Sequence, residues 1–119
     1  MNDAVLYGIL RGVAANRGVI TYAQLSDAYP NAEGDPINPQ YGWNQPLGEL
    51  NVSLHRAGCP PLSAVVISQE RNEPGNGFWG SAPNVPPRPT NEIERLETWH
   101  GLLDQVYGHR WPEQFPGQA

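Results

Sequence analysis

The chain has 119 residues, with seven Arg, no Lys and 12 acidic groups, for a formal charge of −5. That length fits one domain, which buries roughly two-thirds of its unfolded surface and needs neither a disulfide nor a metal for a stable core. The negative balance works against non-specific attraction to nucleic acid, which rests on clustered cations. A single cysteine, Cys59, excludes an internal disulfide framework and fits a reducing compartment, so the expected location is the cytoplasm. No apolar run approaches the ~20 residues of a membrane span, and the N-terminus lacks the basic and apolar regions of a secretory signal, so no membrane partner is expected.

Val5, Leu6, Ile9, Leu10 and Val13 make one apolar stripe on a helix over residues 3–16. Gly18 supplies a left-handed stop. Thr21 and Gln24 form a Thr-x-x-Gln capping box, with Ile20 and Leu25 at the two positions of a hydrophobic staple. They predict a helix from Tyr22 that ends before Pro30. Residues 30–44 hold three prolines, two glycines and three asparagines and read as a loop, pinned to the body by Tyr41 and Trp43.

Pro46 suits the first turn of a third helix, residues 45–57, whose apolar face is Leu47, Leu50 and Leu54 and whose stop is Gly58. Glu49, Ser53 and Arg56 lie on its opposite side, with Asn51, Val52 and His55 toward the flanks. Leu62–Ile67 is a six-residue apolar run with three β-branched members, the pattern of a buried strand. The run Glu73-Pro74-Gly75-Asn76-Gly77 is a turn, and Phe78-Trp79 begins a return strand in which the two rings point to opposite faces. Trp79 is then either an interface anchor or an internal packing residue.

Residues 81–90 are rich in Pro and read as an extended linker. Asn91 and Glu94 form a second capping box, which starts a helix over about residues 91–107. Ile93, Leu96, His100, Leu103 and Tyr107 make its stripe, Trp99, Leu102 and Val106 widen it, and Gly108 stops it. The tail 108–119 has no periodicity, although Trp111 and Phe115 are suited to fold back on the core. The fold class that results is α+β: a single winged-helix-like domain with three helices, a β-hairpin wing and a C-terminal helix.

Chemistry-bearing residues are sparse. Cys59 lies four residues after His55, but Gly58 breaks the helix between them and two prolines follow, so a small buried hydrophobe describes it better than a nucleophile. His55, His100, His109 and Cys59 provide no second closely spaced ligand pair for zinc. Glu70, Glu73, Glu92, Glu94, Glu97 and Asp104 sit in a turn and along a capped helix, where solvated faces are the default. The Pro74–Gly77 turn has no Lys or phosphate-loop pattern. No catalytic residue, metal or cofactor is implied.

The segment Gly18-Val19-Ile20-Thr21-Tyr22-Ala23-Gln24-Leu25, a helix ending at Gly58, and an apolar strand with a Gly-aromatic-Gly return together resemble the winged-helix domain of O6-alkylguanine alkyltransferases and alkyltransferase-like proteins. The resemblance spans about residues 18–80. It implies a domain that bends DNA and flips a base into a pocket. The family's Pro-Cys-His-Arg-type segment is absent, and no His or Arg follows Cys59, so the resemblance does not carry alkyl transfer. The pattern Gly58-x-Pro60-Pro61-Leu62-Ser63-Ala64-Val65-Val66 with Pro74-Gly75-x-Gly77-Phe78 also resembles a module of small bacterial and phage proteins, some of them beside HNH nucleases.

These readings predict a non-enzymatic binding module of a bacterial or phage DNA-transaction or defence system. It would contact nucleic acid through helix 45–57 and the wing, with Gln45, Asn51, Arg56 and Arg71 as the contacts. The alternative is an acidic inhibitor or adaptor that occupies a basic protein surface through Glu92, Glu94, Glu97 and Asp104, anchored by Trp79 or Trp99.

Overall fold

The computed structural model describes residues 3–29 and 43–116. At its centre is the stretch Pro61–Ile67, in which every residue is buried. A buried backbone must have its N–H and C=O groups paired. Here the pairing does not come from a hairpin. Leu62–Val65 is a turn of 3-10 helix, and only Val66–Ile67 is strand, β2. Its partner is β1, Ile20–Thr21, which runs parallel to it with Ile20 opposite Val66 and Thr21 opposite Ile67.

The expected hairpin wing is corrected accordingly. The anticipated return strand at Phe78-Trp79 is replaced by a second 3-10 turn, Asn76–Phe78. Phe78 and Trp79 are both buried, with their rings edge to face at 5.1 Å, rather than divided between two faces. An isolated antiparallel bridge, Ser68 to Glu73, closes the intervening loop. The fold is therefore α+β, with a two-stranded parallel sheet.

Among the described residues four α-helices surround this centre: α1 (Asp3–Ala15), α2 (Tyr22–Ala28), α3 (Asn44–Arg56) and α4 (Glu92–Gly108). Helices α1, α3 and α4 all pack on the 62–65 turn. The capping box on α2 has both bonds: Thr21 Oγ1 accepts from the Gln24 N–H, and Gln24 Oε1 accepts from the Thr21 N–H. Ile20 and Leu25 are both buried, as the staple requires. In α1 the buried face is Leu6, Tyr7, Leu10 and Ala14, rotated from the aliphatic stripe because Tyr7 and Ala14 pack inward. Its left-handed terminal residue is Arg17 (φ 51), not Gly18, and the Gly18 N–H returns to the Val13 carbonyl at 3.0 Å.

Helix α3 matches its prediction closely. Leu47, Leu50 and Leu54 are buried, and Gly58 ends the helix at φ 78, where a side chain would be strained. Trp43 is pinned as expected, with its indole N–H donating to Ser26 Oγ at 2.7 Å and its ring edge-on to Tyr29 at 5.6 Å. Tyr41 and most of the predicted 30–44 loop lie outside the described residues.

Residues 81–85 turn back rather than extend. The Gly80 N–H donates to the Pro86 carbonyl, and Ala82 and Val85 are buried. Asn91 caps α4 by accepting from the Ile93 and Glu94 N–H groups. The buried face of α4 is Arg95, Trp99, Leu102, Leu103 and Val106, so the predicted stripe is rotated and leaves Ile93 68% exposed and His100 at the surface. The tail does fold back. Phe115 packs on Tyr7 with ring centroids 5.5 Å apart, the Tyr7 hydroxyl donates to the Pro112 carbonyl, and the Trp111 indole donates to the Val106 carbonyl. Among the described residues no helix is long and apolar enough to cross a membrane.

Within Pro61–Ile67, two side chains from the described residues supply backbone partners that the small sheet cannot. Asn51 on α3 is fully buried; its Oδ1 accepts from the Ser63 N–H at 3.3 Å and its Nδ2 donates to Ser63 Oγ at 2.6 Å. Trp99 on α4 donates its indole N–H to the Ala64 carbonyl at 2.9 Å. Asn51→Ala leaves a buried N–H and hydroxyl unpaired. It is expected to cost about 2–3 kcal/mol in urea unfolding. Ser53→Ala, two residues on but half-buried, is expected to stay within about 0.5 kcal/mol. Equal losses in the two variants would refute this role for Asn51.

Candidate functional site

The inner face of α3 is committed to the core, so its outer face forms the wall of a groove. Gln45, Glu49, Ser53 and Arg56 follow one another along that face and, with Gly48 and Ser81, line a hollow of about 570 Å³. The Ser81 segment runs alongside the helix at Gly48, where a Cβ would make an ordinary contact with the Ser81 carbonyl at 3.5 Å.

At the start of α3 the surface passes into a larger hollow of about 880 Å³. Asn44 lines both hollows. The other walls are Tyr22 at the start of α2, Trp43, the 68–70 segment and the Gly75–Gly77 loop. The lining is rich in amides and aromatic groups, with Asn44, Gln69 and Asn76 beside Tyr22 and Trp43. Among the described lining residues Glu70 is the only formal charge.

The loop that forms one wall is held at three places. Glu73 accepts from Arg95 on α4 through both carboxylate oxygens, at 2.6 and 3.2 Å, and each residue is only 7% exposed. The Gly75 N–H donates to the Tyr22 hydroxyl at 3.0 Å. Gly77 lies so close to Asn44 that an added Cβ would fall 2.5 Å from its Oδ1. A side chain at Gly77 would displace the Asn44 amide, and a Cβ at Gly75 would crowd the Tyr22 hydroxyl at 3.1 Å.

The electrostatics follow from these contacts. The hydrogen bond from Arg95 holds the Glu73 carboxyl below the usual carboxylate range against the opposing effect of burial, and the fields of Arg95, Arg71 and Arg88 assist. Burial pushes the Tyr22 phenol up, more than its bond from Gly75 lowers it. The phenol is thus neutral at pH 7, accepts from Gly75 and retains its own proton to donate.

The sequence-predicted contacts divide sharply. Gln45 is exposed, with its amide on Glu49 at 3.1 Å, and Arg56 is exposed at the far end of the smaller groove. Arg71 is exposed on the loop, with Nη1 3.5 Å from Asn76 Oδ1. These three face the groove system or its rim. Asn51 does not: its side chain is turned into the core and occupied by Ser63, so it presents no group to a partner. Trp79 and Trp99 are buried packing residues and present no anchor at the surface, whereas Glu92 and Glu94 are exposed on α4.

Cys59 is buried and its thiol is pushed up by desolvation, while His55 is exposed on the other side of Gly58. A thiol in that setting is a poor nucleophile. Among the described residues no group of three His, Cys, Asp or Glu is arranged to hold a metal ion.

Tyr22, Asn44 and Asn76 were not singled out from the sequence as site residues. The available signal was the Gly75-x-Gly77 spacing, which marks close backbone approach as readily as a turn. No family model matches the chain, and no curated protein or solved structure matches it.

Glu73 gives the site a testable acid dependence. Its folded pKa lies below the unfolded value of about 4.3, so it contributes stability above that value and loses it as pH falls through the folded pKa. Chemical unfolding between about pH 6 and pH 3 is expected to show wild-type stability falling more steeply than that of Glu73→Gln. Parallel curves would mean that the ion pair does not carry this dependence.

Proposed function

We propose that the chain is a non-enzymatic, winged-helix-like binding module that meets nucleic acid along the outer face of α3 and in the adjoining hollow. The observation that carries this reading is continuity: a polar helix face leads through Asn44 into a recess lined by amides, Tyr22 and Trp43. Arg56 and Arg71 act on backbone phosphates, and Gln45 and Asn44 present amides to base edges. The recess beside Tyr22 and Asn76 accepts an unstacked base, which needs a π surface and donors and acceptors for its edge. The 68–77 loop takes the place of a hairpin wing. The setting in this reading is the cytoplasm, in a bacterial or phage DNA-transaction or defence system.

The net charge is compatible with this because the carboxylates are unevenly placed. Glu92, Glu94, Glu97 and Asp104 are all exposed on α4. Among the described residues the α3 groove carries one Glu and one Arg. Binding depends on local potential more than on total charge.

The distribution on α4 also favours a second reading, in which that face meets a basic protein. The one cation of the helix, Arg95, is turned inward onto Glu73, and Ile93 provides an apolar contact beside the carboxylates. If this reading holds, a labelled Arg-rich peptide binds at low salt and Glu92→Gln/Glu94→Gln weakens it. Equal binding by the wild type and that variant would exclude it.

For the nucleic-acid reading, fluorescence anisotropy is expected to show salt-sensitive binding of labelled DNA, tighter for a duplex with one unpaired base than for a fully paired one. Arg56→Ala should reduce the slope of log K against log salt by about one. Asn44→Ala should reduce the preference for the unpaired base. Absence of binding to both duplexes at the lowest salt would overturn the proposal.

A further inference from the structure

We infer that Arg95, which lines neither hollow, is a positioning residue for the proposed nucleic-acid groove and acts through Glu73. This rests on the reading of the groove given above and adds the residue pair that sets its shape. Helix α4 lies outside the groove, yet its Arg95 holds the loop that forms one wall. The bidentate pair fixes Glu73, whose own backbone carbonyl accepts from the Ser68 N–H at 2.8 Å. The loop between them passes through Asn72 in a left-handed conformation, φ 55. Two residues beyond Glu73, Gly75 reaches Tyr22, and two further on Gly77 abuts Asn44. A shift at Glu73 therefore moves Gly75 and Gly77 against Tyr22 and Asn44, two of the residues that line the recess.

The chemistry of the pair points the same way. Two charges taken out of water gain little net stability over a packed apolar pair, but an Arg–carboxylate fork fixes orientation in a way that an apolar contact does not. A buried fork between a surface helix and a groove-forming loop is suited to fixing where the loop sits. Lys in place of Arg keeps the charge but not the two-pronged geometry.

The deciding variants are Glu73→Leu/Arg95→Met, which replaces the pair by apolar side chains, and Arg95→Lys, which keeps the charge. The probe is the labelled duplex with one unpaired base, with thermal unfolding and the ¹H–¹⁵N resonances of the Gly77 backbone and the Asn44 side-chain amide read on the same samples. Both variants are expected to bind about tenfold more weakly while folded, in the range over which packed networks transmit coupling. Their Gly77 and Asn44 resonances should move. Wild-type affinity with both resonances unmoved in either folded variant would overturn the inference. If the double variant does not fold, Arg95→Lys alone decides by the same criteria. If wild-type protein binds no DNA, the nucleic-acid reading falls, whereas the Gly77 and Asn44 resonances still test whether Arg95 positions the recess.

Discussion

The arrangement depends on one constraint, which is that the backbone of Pro61–Ile67 is buried and must still be hydrogen-bonded. A central strand in a large sheet meets that requirement through two neighbours. Here the sheet has two strands and one short parallel pairing, so the rest of the segment turns through a 3-10 helix and borrows side chains. Asn51 serves Ser63, and Trp99 serves Ala64. Helices α3 and α4 are thereby held to the centre by directed bonds as well as by apolar packing. The same constraint removes both residues from any partner surface. A buried amide or indole that completes the backbone's hydrogen bonds cannot exchange them for a ligand without leaving an unpaired group.

That commitment determines which surface remains. With Leu47, Leu50, Asn51 and Leu54 facing inward, Gln45, Glu49, Ser53 and Arg56 are left on the outside of α3. The chain leaves the core at Ser68, makes a tight loop and returns past Tyr22 and Asn44. Glycine at 75 and 77 permits the close return, and Glu73–Arg95 fixes its start. The recess is thus a by-product of how the central segment enters and leaves the core. Its described walls come from α2, α3 and the loop, and the loop is held by a long-range ion pair, Glu73–Arg95.

Local signals in the sequence carry much of the helical structure. The capping box of α2, the Leu47-Leu50-Leu54 face and Gly58 at the end of α3, and the Asn91 cap of α4 are all encoded within a few residues. Features that depend on distant partners were not legible. Leu62–Ile67 has the composition of a strand, but whether it pairs with the chain ahead of it or with residues 20–21 depends on contacts more than forty residues away. Asn51 looks like an ordinary polar residue on a helix flank until Ser63 is placed opposite it. In α1 the aliphatic spacing alone leaves out Tyr7, which is amphipathic and is drawn inward by a polar partner as well as by its ring. In α4 the expected widening positions Trp99, Leu102 and Val106 belong to the buried face, with the Trp99 indole held by the Ala64 carbonyl. Arg95 was hidden for a related reason. A charged residue between two carboxylates on a helix reads as solvated, and only the loop that crosses it takes it out of water.

The separation of charge connects these points. Turning Arg95 inward neutralises Glu73, and it leaves the outer face of α4 with carboxylates and no cation of its own. A single side chain therefore shapes two surfaces, fixing the loop beside the recess while making α4 acidic. The net charge of −5 averages over this difference and describes neither surface. Anything that disturbed the packing of α4 on the loop would change both at once, because the guanidinium cannot serve solvent and Glu73 together.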